Sequence, residues 1–335
     1  MMQSDRDLAA GSARVHADAL VWDDHAGFAP FPDLDLSFLA RWRQAGASFL
    51  SVNVGFDTVM SWEQSLRCAA HYRRWLETHR ERFILAERID DVHRAKREHK
   101  LAVAFDLEGA NAINGNIDLI GVYYQIGVRQ MLFAYNKNNA LGGGCMDVDI
   151  ALTALGREAV MEMNRLGMVI DCSHASYRSA MEIMECSGQP VVFSHSNPRA
   201  LWDHPRNIRD DQIRACARGG GVVGINGVGI FLGDNDVSAA RMARHIAYVA
   251  DLVGVDHVGI GVDSVLDPDE LPKLFKLYPQ AWPDPAMQAV DAIAFAQPEQ
   301  LPRLTEELLK RGLGEADVMK VLGGNFLRVA TQVWR

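Results

Sequence analysis

The chain has 335 residues and a formal net charge of −9, with 48% hydrophobic and 23% charged residues, the proportions of a soluble globular enzyme. No apolar run approaches the roughly 20 residues of a membrane span, no long basic run offers a footprint for a phosphate backbone, and Met1–Asp7 is followed by no signal-peptide core. Neither membrane nor nucleic acid is therefore an expected partner, and a cytoplasmic location is expected. The five cysteines (Cys68, Cys145, Cys172, Cys186, Cys216) are scattered, odd in number and without a C-x-x-C pair, which argues against a disulfide framework and a zinc ribbon.

Taken in order, short apolar and β-branched runs alternate with longer segments of helical period, the sign of repeated βα units around a parallel sheet. Eight runs read as buried strands: Ala19–His25, Ser48–Val54, Leu101–Glu108, Arg129–Tyr135, Met168–His174, Pro190–Ser196, Gly221–Asn226 and His257–Asp263. The stretch 57–91, rich in Arg, Glu and His, is expected to carry the helix after the second strand, with 91–99 as a charged, solvated continuation. Leu152, Leu155, Val160, Met161 and Met163 suit a helix that packs one stripe inward and stops at Leu166-Gly167. The glycine runs at 142–144 and 219–221 lack the lysine and helix start of a phosphate cradle and read as loops. Pro268, Pro272, Pro279, Pro283 and Pro285 break up an irregular excursion with Trp282, read as a lid or subunit contact, and a helical region follows from Glu299 to the end. Trp282 and the apolar stretch 286–295 suit a dimer contact. Eight strands predict a (β/α)₈ TIM barrel, one domain spanning residues 1–335 with a C-terminal helical extension.

Active sites of such barrels sit at the C-terminal ends of the strands, and five of the eight runs end in a potential metal ligand: His25, Glu108, His174, His195 and Asp263. Any one alone reads as a hydrogen-bonded core histidine or a helix cap. Together they place polar groups around one buried mouth that a divalent cation would satisfy. Imidazole and carboxylate without thiolate suit zinc or another borderline first-row ion, and Cys172, deeper in its strand, is not expected to ligate.

Several motifs then act together: Phe105-Asp106-Leu107-Glu108-Gly109, Ile170-Asp171-Cys172-Ser173-His174, Val192-Phe193-Ser194-His195-Ser196, Arg206-Asn207-Ile208, His257-Val258-Gly259-Ile260-Gly261-Val262-Asp263 and Gly323-Gly324-Asn325-Phe326. With these the chain, from about residue 19 to its end, resembles the membrane (renal) dipeptidase family of zinc peptidases, barrels of the metal-dependent hydrolase type. The resemblance implies one or two zinc ions, with Glu108 as a bridging carboxylate, His174 and His195 completing one site, and His25 with Asp263 in the other. It also implies Arg206 as the partner of a substrate carboxylate, Asp263 as the proton carrier, and hydrolysis of dipeptides or N-acyl amino acids.

Two positions depart from the family pattern. Where the family's first strand ends His-x-Asp, with the Asp a ligand, this chain has His25-Ala26-Gly27. Strand alternation would turn Asp24 away from His25, leave Asp23 on its face one step deeper, and return a carboxylate placed at position 27 to the face of His25. Tyr135 stands where a histidine is thought to stabilise the tetrahedral intermediate. It reads either as a hydrogen-bond donor to that oxyanion or as a packing residue. The alternatives to a dipeptidase are a single-metal amide or ester hydrolase and a non-catalytic ligand-binding barrel that has lost one zinc site.

Overall fold

The computed structural model describes residues 2–267, 270–283 and 293–335, the side chains of 2–7 and 270–272 excepted. Its sheet has nine strands: β1 Val21–Ala26, β2 Ala47–Phe56, β3 Phe83–Leu85, β4 Leu101–Glu108, β5 Val128–Leu132, β6 Val169–Asp171, β7 Val191–Phe193, β8 Val222–Ile225 and β9 Val258–Ile260. Eight of them pair in the order β1-β2-β4-β5-β6-β7-β8-β9, every pair parallel. A short seam brings the ends together: the Asp263 amide donates to His25 O at 3.0 Å and the Gly27 amide to Ser264 O at 3.1 Å. The result is the expected barrel, nearly closed, of eight parallel strands. Each expected run overlaps one of them, buried along its length as a strand covered on both faces must be.

β3 is an addition. It pairs with β4 outside the barrel circuit, within the stretch 57–91 expected to carry the helix after the second strand. That stretch is in fact helix Trp62–Thr78, then β3, then helix Ile89–Arg97. Phe83 and Ile84 are buried, and three apolar residues among arginines and glutamates are too few to announce a strand. The helix Met2–Asp18 is also unannounced; His16 ties it to the chain end through Thr305 Oγ1 at 2.8 Å and to Ala45 O at 2.8 Å.

Several of the helices after the strands start where hydroxyls cap them. Ser61 and Gln64 form a capping box for Trp62–Thr78, Thr153 caps Ala154–Leu166, and Ser238 caps Ala239–Val253. Gly167, at φ 86°, ends the second of these in the left-handed region, as its sequence predicts.

The N-terminal mouth of the barrel is plugged. Trp22 stacks on Phe49 with ring centroids 3.6 Å apart, and Phe326 packs with Val169, Val192 and Val222 in the same cluster. Phe326 belongs to helix Asn325–Val333, and Asn325 Nδ2 holds the helix start by donating to Val255 O and Val258 O at 2.7 and 2.8 Å. Gly323 permits this approach, since a Cβ there would lie 2.1 Å from Leu20 O. The C-terminal helical region is thus part of the barrel's floor. At the opposite mouth Phe56, Tyr135, Phe231, Phe275 and Trp282 form a second apolar cluster, a roof over the strand ends. No helix among the described residues is long and apolar enough to cross a membrane.

Candidate metal centre

Glu108 is the last residue of β4 and presents its carboxylate at the C-terminal mouth. One oxygen, Oε1, lies 3.5 Å from His25 Nε2, 3.4 Å from His174 Nε2 and 3.6 Å from His195 Nε2. The last two nitrogens are 3.1 Å apart, the His25 and His195 rings stack at 3.9 Å, and Asp263 Oδ1 is 3.8 Å from His25 Nε2. The five residues expected to share a rim therefore converge. His25, Glu108 and His195 each offer an atom within 4.8 Å of the others.

Only His25 and Glu108 sit on strands proper. His174, His195 and Asp263 lie two or three residues beyond β6, β7 and β9, where the backbone has left the ladder. His174 and Asp263 take left-handed φ of 63° and 58°, as does Asn136 at 56°, a conformation that costs non-glycine residues of order 1 kcal/mol and clusters at functional sites. The surrounding chain over-determines it: the Cys145 amide donates to His174 O at 2.8 Å and the Met146 amide to Asn136 O at 2.8 Å.

Behind the rim stands a layer of residues that the sequence reading did not single out. Asn53 Nδ2 donates to Glu108 Oε2 at 2.8 Å, Asn226 Nδ2 to Asp263 Oδ2 at 2.8 Å, Asn136 Oδ1 meets His174 Nδ1 at 2.7 Å, and Ser194 Oγ meets His195 Nδ1 at 2.5 Å. With Nδ1–H of His174 given to Asn136, its Nε2 is an acceptor, and Arg206 Nε donates to it at 3.2 Å. Their signal was available as polar residues interrupting or ending buried apolar runs, Asn53 and Asn226 above all.

Burial would raise the Glu108 carboxyl, but the facing His25, His174 and His195 hold it well below the usual range. Burial, with Arg206 adding, lowers His174 to about 3, and burial, with His25 adding, holds His195 well below the usual imidazole range. Burial opposes charge on His25 too, yet Asp106 and Glu108 outweigh it and raise that ring. Asp263 is raised by burial against the pull of His25. Imidazole nitrogens and carboxylate oxygens thus face one another at short range, and both nitrogens of buried His25 lack a hydrogen-bond partner. A cation at the mouth would satisfy the facing Nε2 atoms and carboxylate oxygens together, with His25 Nδ1 turned instead toward Asp106, so the donors fit a divalent ion with nitrogen and oxygen preference. Cys172 stays out of the group: its thiol is buried and pushed up by burial.

Four expectations change. Asp23 does not share the face of His25; its Oδ2 accepts Trp42 Nε1 and its Oδ1 the Val262 amide, both at 2.7 Å, on the outer side of the seam. Asp24 faces inward, its Oδ1 accepting Trp22 Nε1 at 2.7 Å; burial raises its carboxyl well above the usual range against that hydrogen bond, with Asp171 and Asp106 adding to the rise. The reason is a register shift between Asp23 and Ala26 in the β1–β2 pairing, which breaks the alternation that argument relied on. A carboxylate at position 27 meets an obstacle as well: a Cβ on Gly27 would lie 2.0 Å from Asp263 Oδ1 and 2.8 Å from Asp263 O, so Asp263 fills that space. Finally, Trp282 is 2% exposed and packs inside this chain, which removes it as a dimer contact; residues 286–292 of the stretch named with it lie outside the described residues.

Tyr135 lies three residues past β5 with its ring stacked on His174 at 4.3 Å and its hydroxyl accepting Trp282 Nε1 at 3.0 Å. Burial, with Glu108 and Asp263, raises its hydroxyl well above 10, so the O–H remains a donor. It therefore packs, and it lines a cavity together with Glu108, His174 and Asp263. Arg206 is buried beside the same cluster, Nη1 donating to Ser196 Oγ at 2.9 Å and Nη2 to His195 O at 2.6 Å.

A parallel barrel with such a cluster at its C-terminal mouth defines a class, the metal-dependent barrel hydrolases. The match to the family described as membrane dipeptidase (peptidase family M19) covers residues 34–275 and 288–335. The chain belongs to that family and is a hydrolase. Dipeptidase tcpJ of Claviceps purpurea is 28% identical over 329 residues, 91% of this chain and 71% of that protein. An uncharacterized protein in the pqqA 5′ region of Klebsiella pneumoniae is 31% identical over 259 residues, 73% of this chain and 87% of that one. A solved amidohydrolase from Pseudomonas aeruginosa superposes with a TM-score of 0.89 at 29% identity over 96% of this chain and 99% of that one. A metallo peptidase from Rhodobacter sphaeroides, at 20% identity and a TM-score of 0.77 over 95% of this chain and all (100%) of that one, shares the fold.

Proposed function

We propose that this hydrolase cleaves dipeptides, or N-acyl amino acids, that end in a free carboxylate, using zinc held by Glu108, His174 and His195 and by Glu108, His25 and Asp263. The observation that carries the reading is Glu108 Oε1 at 3.4 to 3.6 Å from three imidazole nitrogens, with Asp263 and the Arg206 guanidinium against the same cluster. The Rhodobacter sphaeroides relative by fold is described as liganded with a phosphinate mimic of the dipeptide L-Ala-D-Ala, and the Claviceps purpurea relative is named a dipeptidase; both support a small dipeptide-like substrate.

Bound metal supplies an acidified water and polarises the amide carbonyl. The chain's own groups do the rest. Arg206 offers a planar guanidinium to the substrate's carboxylate. Asp263, raised by burial and steadied by Asn226, takes a proton at its free oxygen Oδ1 and returns it to the leaving amine. Tyr135 donates its O–H to the developing oxyanion. Phe56, Phe231, Phe275 and Trp282 line the cavity beside the cluster and restrict the access of water and of longer peptides. The five cysteines are free, in keeping with a reducing compartment.

Gly27 favours one second reading. It contributes no donor, and Asp263 occupies the space a side chain there would use, so a hydrolase working with a single ion at Glu108, His174 and His195 is the alternative. Metal content per chain and hydrolysis of a dipeptide panel decide. Two equivalents of zinc with cleavage of free dipeptides but not of their C-terminal amides supports the dipeptidase; one equivalent with full activity supports the alternative; no cleavage at saturating zinc ends both.

A further inference from the structure

The three imidazoles of the rim are not backed alike. His174 and His195 have neutral partners at Nδ1, an amide oxygen and a hydroxyl. His25 instead has a carboxylate within ion-pair reach: Asp106 Oδ2 lies 3.5 Å from its Nδ1, an electrostatic contact longer than a formed hydrogen bond. Asp106 is fully buried and precedes Glu108 by two residues on β4, so the two carboxylates point into the barrel one layer apart. His25 is held between them, Nδ1 toward the lower layer and Nε2 toward the mouth. Ser51 Oγ fixes Asp106 by donating to Oδ2 at 2.6 Å, while Asp106 Oδ1 has no partner.

We propose that Asp106 is a positioning carboxylate for His25, orienting its ring and lending it negative charge from below so that Nε2 becomes a strong donor at the mouth. A carboxylate on the far nitrogen selects the Nδ1–H tautomer, aims the Nε2 lone pair and raises its basicity. This matters most where His25 works, because Gly27 beside it provides no donor and, among the described residues, the carboxylates that reach its Nε2 are those of Glu108 and Asp263. The charge that position 27 does not supply comes through the imidazole. This inference rests on the reading of His25, Glu108 and Asp263 as one of two zinc sites.

The test strips the full chain of metal and titrates it with zinc alone against a chromophoric chelator. Wild type should take up two equivalents of zinc. Asp106→Asn keeps the shape and removes the charge; it should weaken one of the two equivalents about 10- to 100-fold, leave the other within about twofold, and not lower the melting temperature of the metal-free protein. Ser51→Ala, which only frees Asp106, should weaken the same equivalent by a smaller factor, and the double variant should lose no more than Asp106→Asn, as expected for residues acting through one contact. Equal weakening of both equivalents, no weakening of either, or additive losses in the double variant would overturn the proposal. If wild type takes up two equivalents and the variants do not differ from it, only this inference fails; if wild type takes up fewer than two, the two-site reading fails and takes this with it.

Discussion

The two mouths of the barrel are filled with opposite chemistry. At the N-terminal mouth Trp22, Phe49 and Phe326 interlock with valines from three strands, a packing in which dispersion and burial are satisfied and nothing polar is asked for. At the C-terminal mouth three histidines and two carboxylates crowd within a few ångströms, two of the residues in left-handed backbone. One end is an asset to folding and the other a cost, and the strands joining them are rigid enough for the first to support the second. Substitutions at the two ends should therefore fail in different ways.

The largest effect is expected for Glu108→Gln. The amide cannot supply the charge around which His25, His174 and His195 are gathered, so kcat/KM should drop by about 10⁴-fold or more, about 5.5 kcal/mol, with bound metal falling while circular dichroism stays that of a folded barrel. Phe326→Ala should do the reverse. Emptying the floor should cost about 3–5 kcal/mol of unfolding free energy, read by urea denaturation, and leave metal content and kcat of the folded fraction unchanged. A Phe326→Ala protein that keeps its stability and loses kcat would break the division between the ends.

A third test lies on the outer layer, away from both mouths. His245, in helix Ala239–Val253, is 1% exposed and gives Nε2–H to Leu232 O at 3.1 Å, with no partner at Nδ1. Burial lowers its pKa to about 4, with Arg241 and Arg244 adding to the effect. A histidine lowered in the fold stays neutral there while the unfolded chain takes up a proton near its ordinary value of about 6.5. Its contribution is thus whole above about pH 6.5 and is lost as pH falls toward about 4, roughly 3 kcal/mol in all. His245→Gln, which cannot titrate, should flatten this part of the stability curve of the metal-free protein; an unchanged slope between these pH values would place the acid sensitivity elsewhere.

Much of this arrangement was legible in the sequence, for a physical reason. A strand buried on both faces has to be written as an apolar run, so eight such runs and the polar residue at the end of five of them could be read directly. What did not show was what depends on a single hydrogen-bond register. The shift between Asp23 and Ala26 reverses which aspartate faces inward, and no periodicity argument sees a one-residue irregularity. β3 is hidden by its length and its charged neighbours, and the supporting Asn53, Ser194 and Asn226 resemble ordinary strand-end polar residues until their partners are known. Trp282 reads as part of a lid or subunit contact because its proline-rich surroundings look like an irregular excursion, whereas it packs within the roof against Phe56, Tyr135 and Phe275.

The smallest effect is expected where charge is kept and shape is lost, and it tests whether the costly mouth is also selective. Arg206 is 2% exposed and uses three separate nitrogens on His174 Nε2, Ser196 Oγ and His195 O, with the guanidinium over Phe231 at 5.9 Å. Lysine carries the same charge on one nitrogen and cannot hold a carboxylate in a two-pronged grip. Arg206→Lys should therefore lower kcat/KM for a free dipeptide about 30-fold, about 2 kcal/mol. The same dipeptide amidated at its C-terminus has no carboxylate to grip; it should be a poor substrate for both proteins, and the substitution should barely change its rate. The ratio between the two substrates is what the proposal addresses. If Arg206→Lys slows both equally, Arg206 serves to position His174 and His195, and the substrate's carboxylate must be read by another group at the mouth.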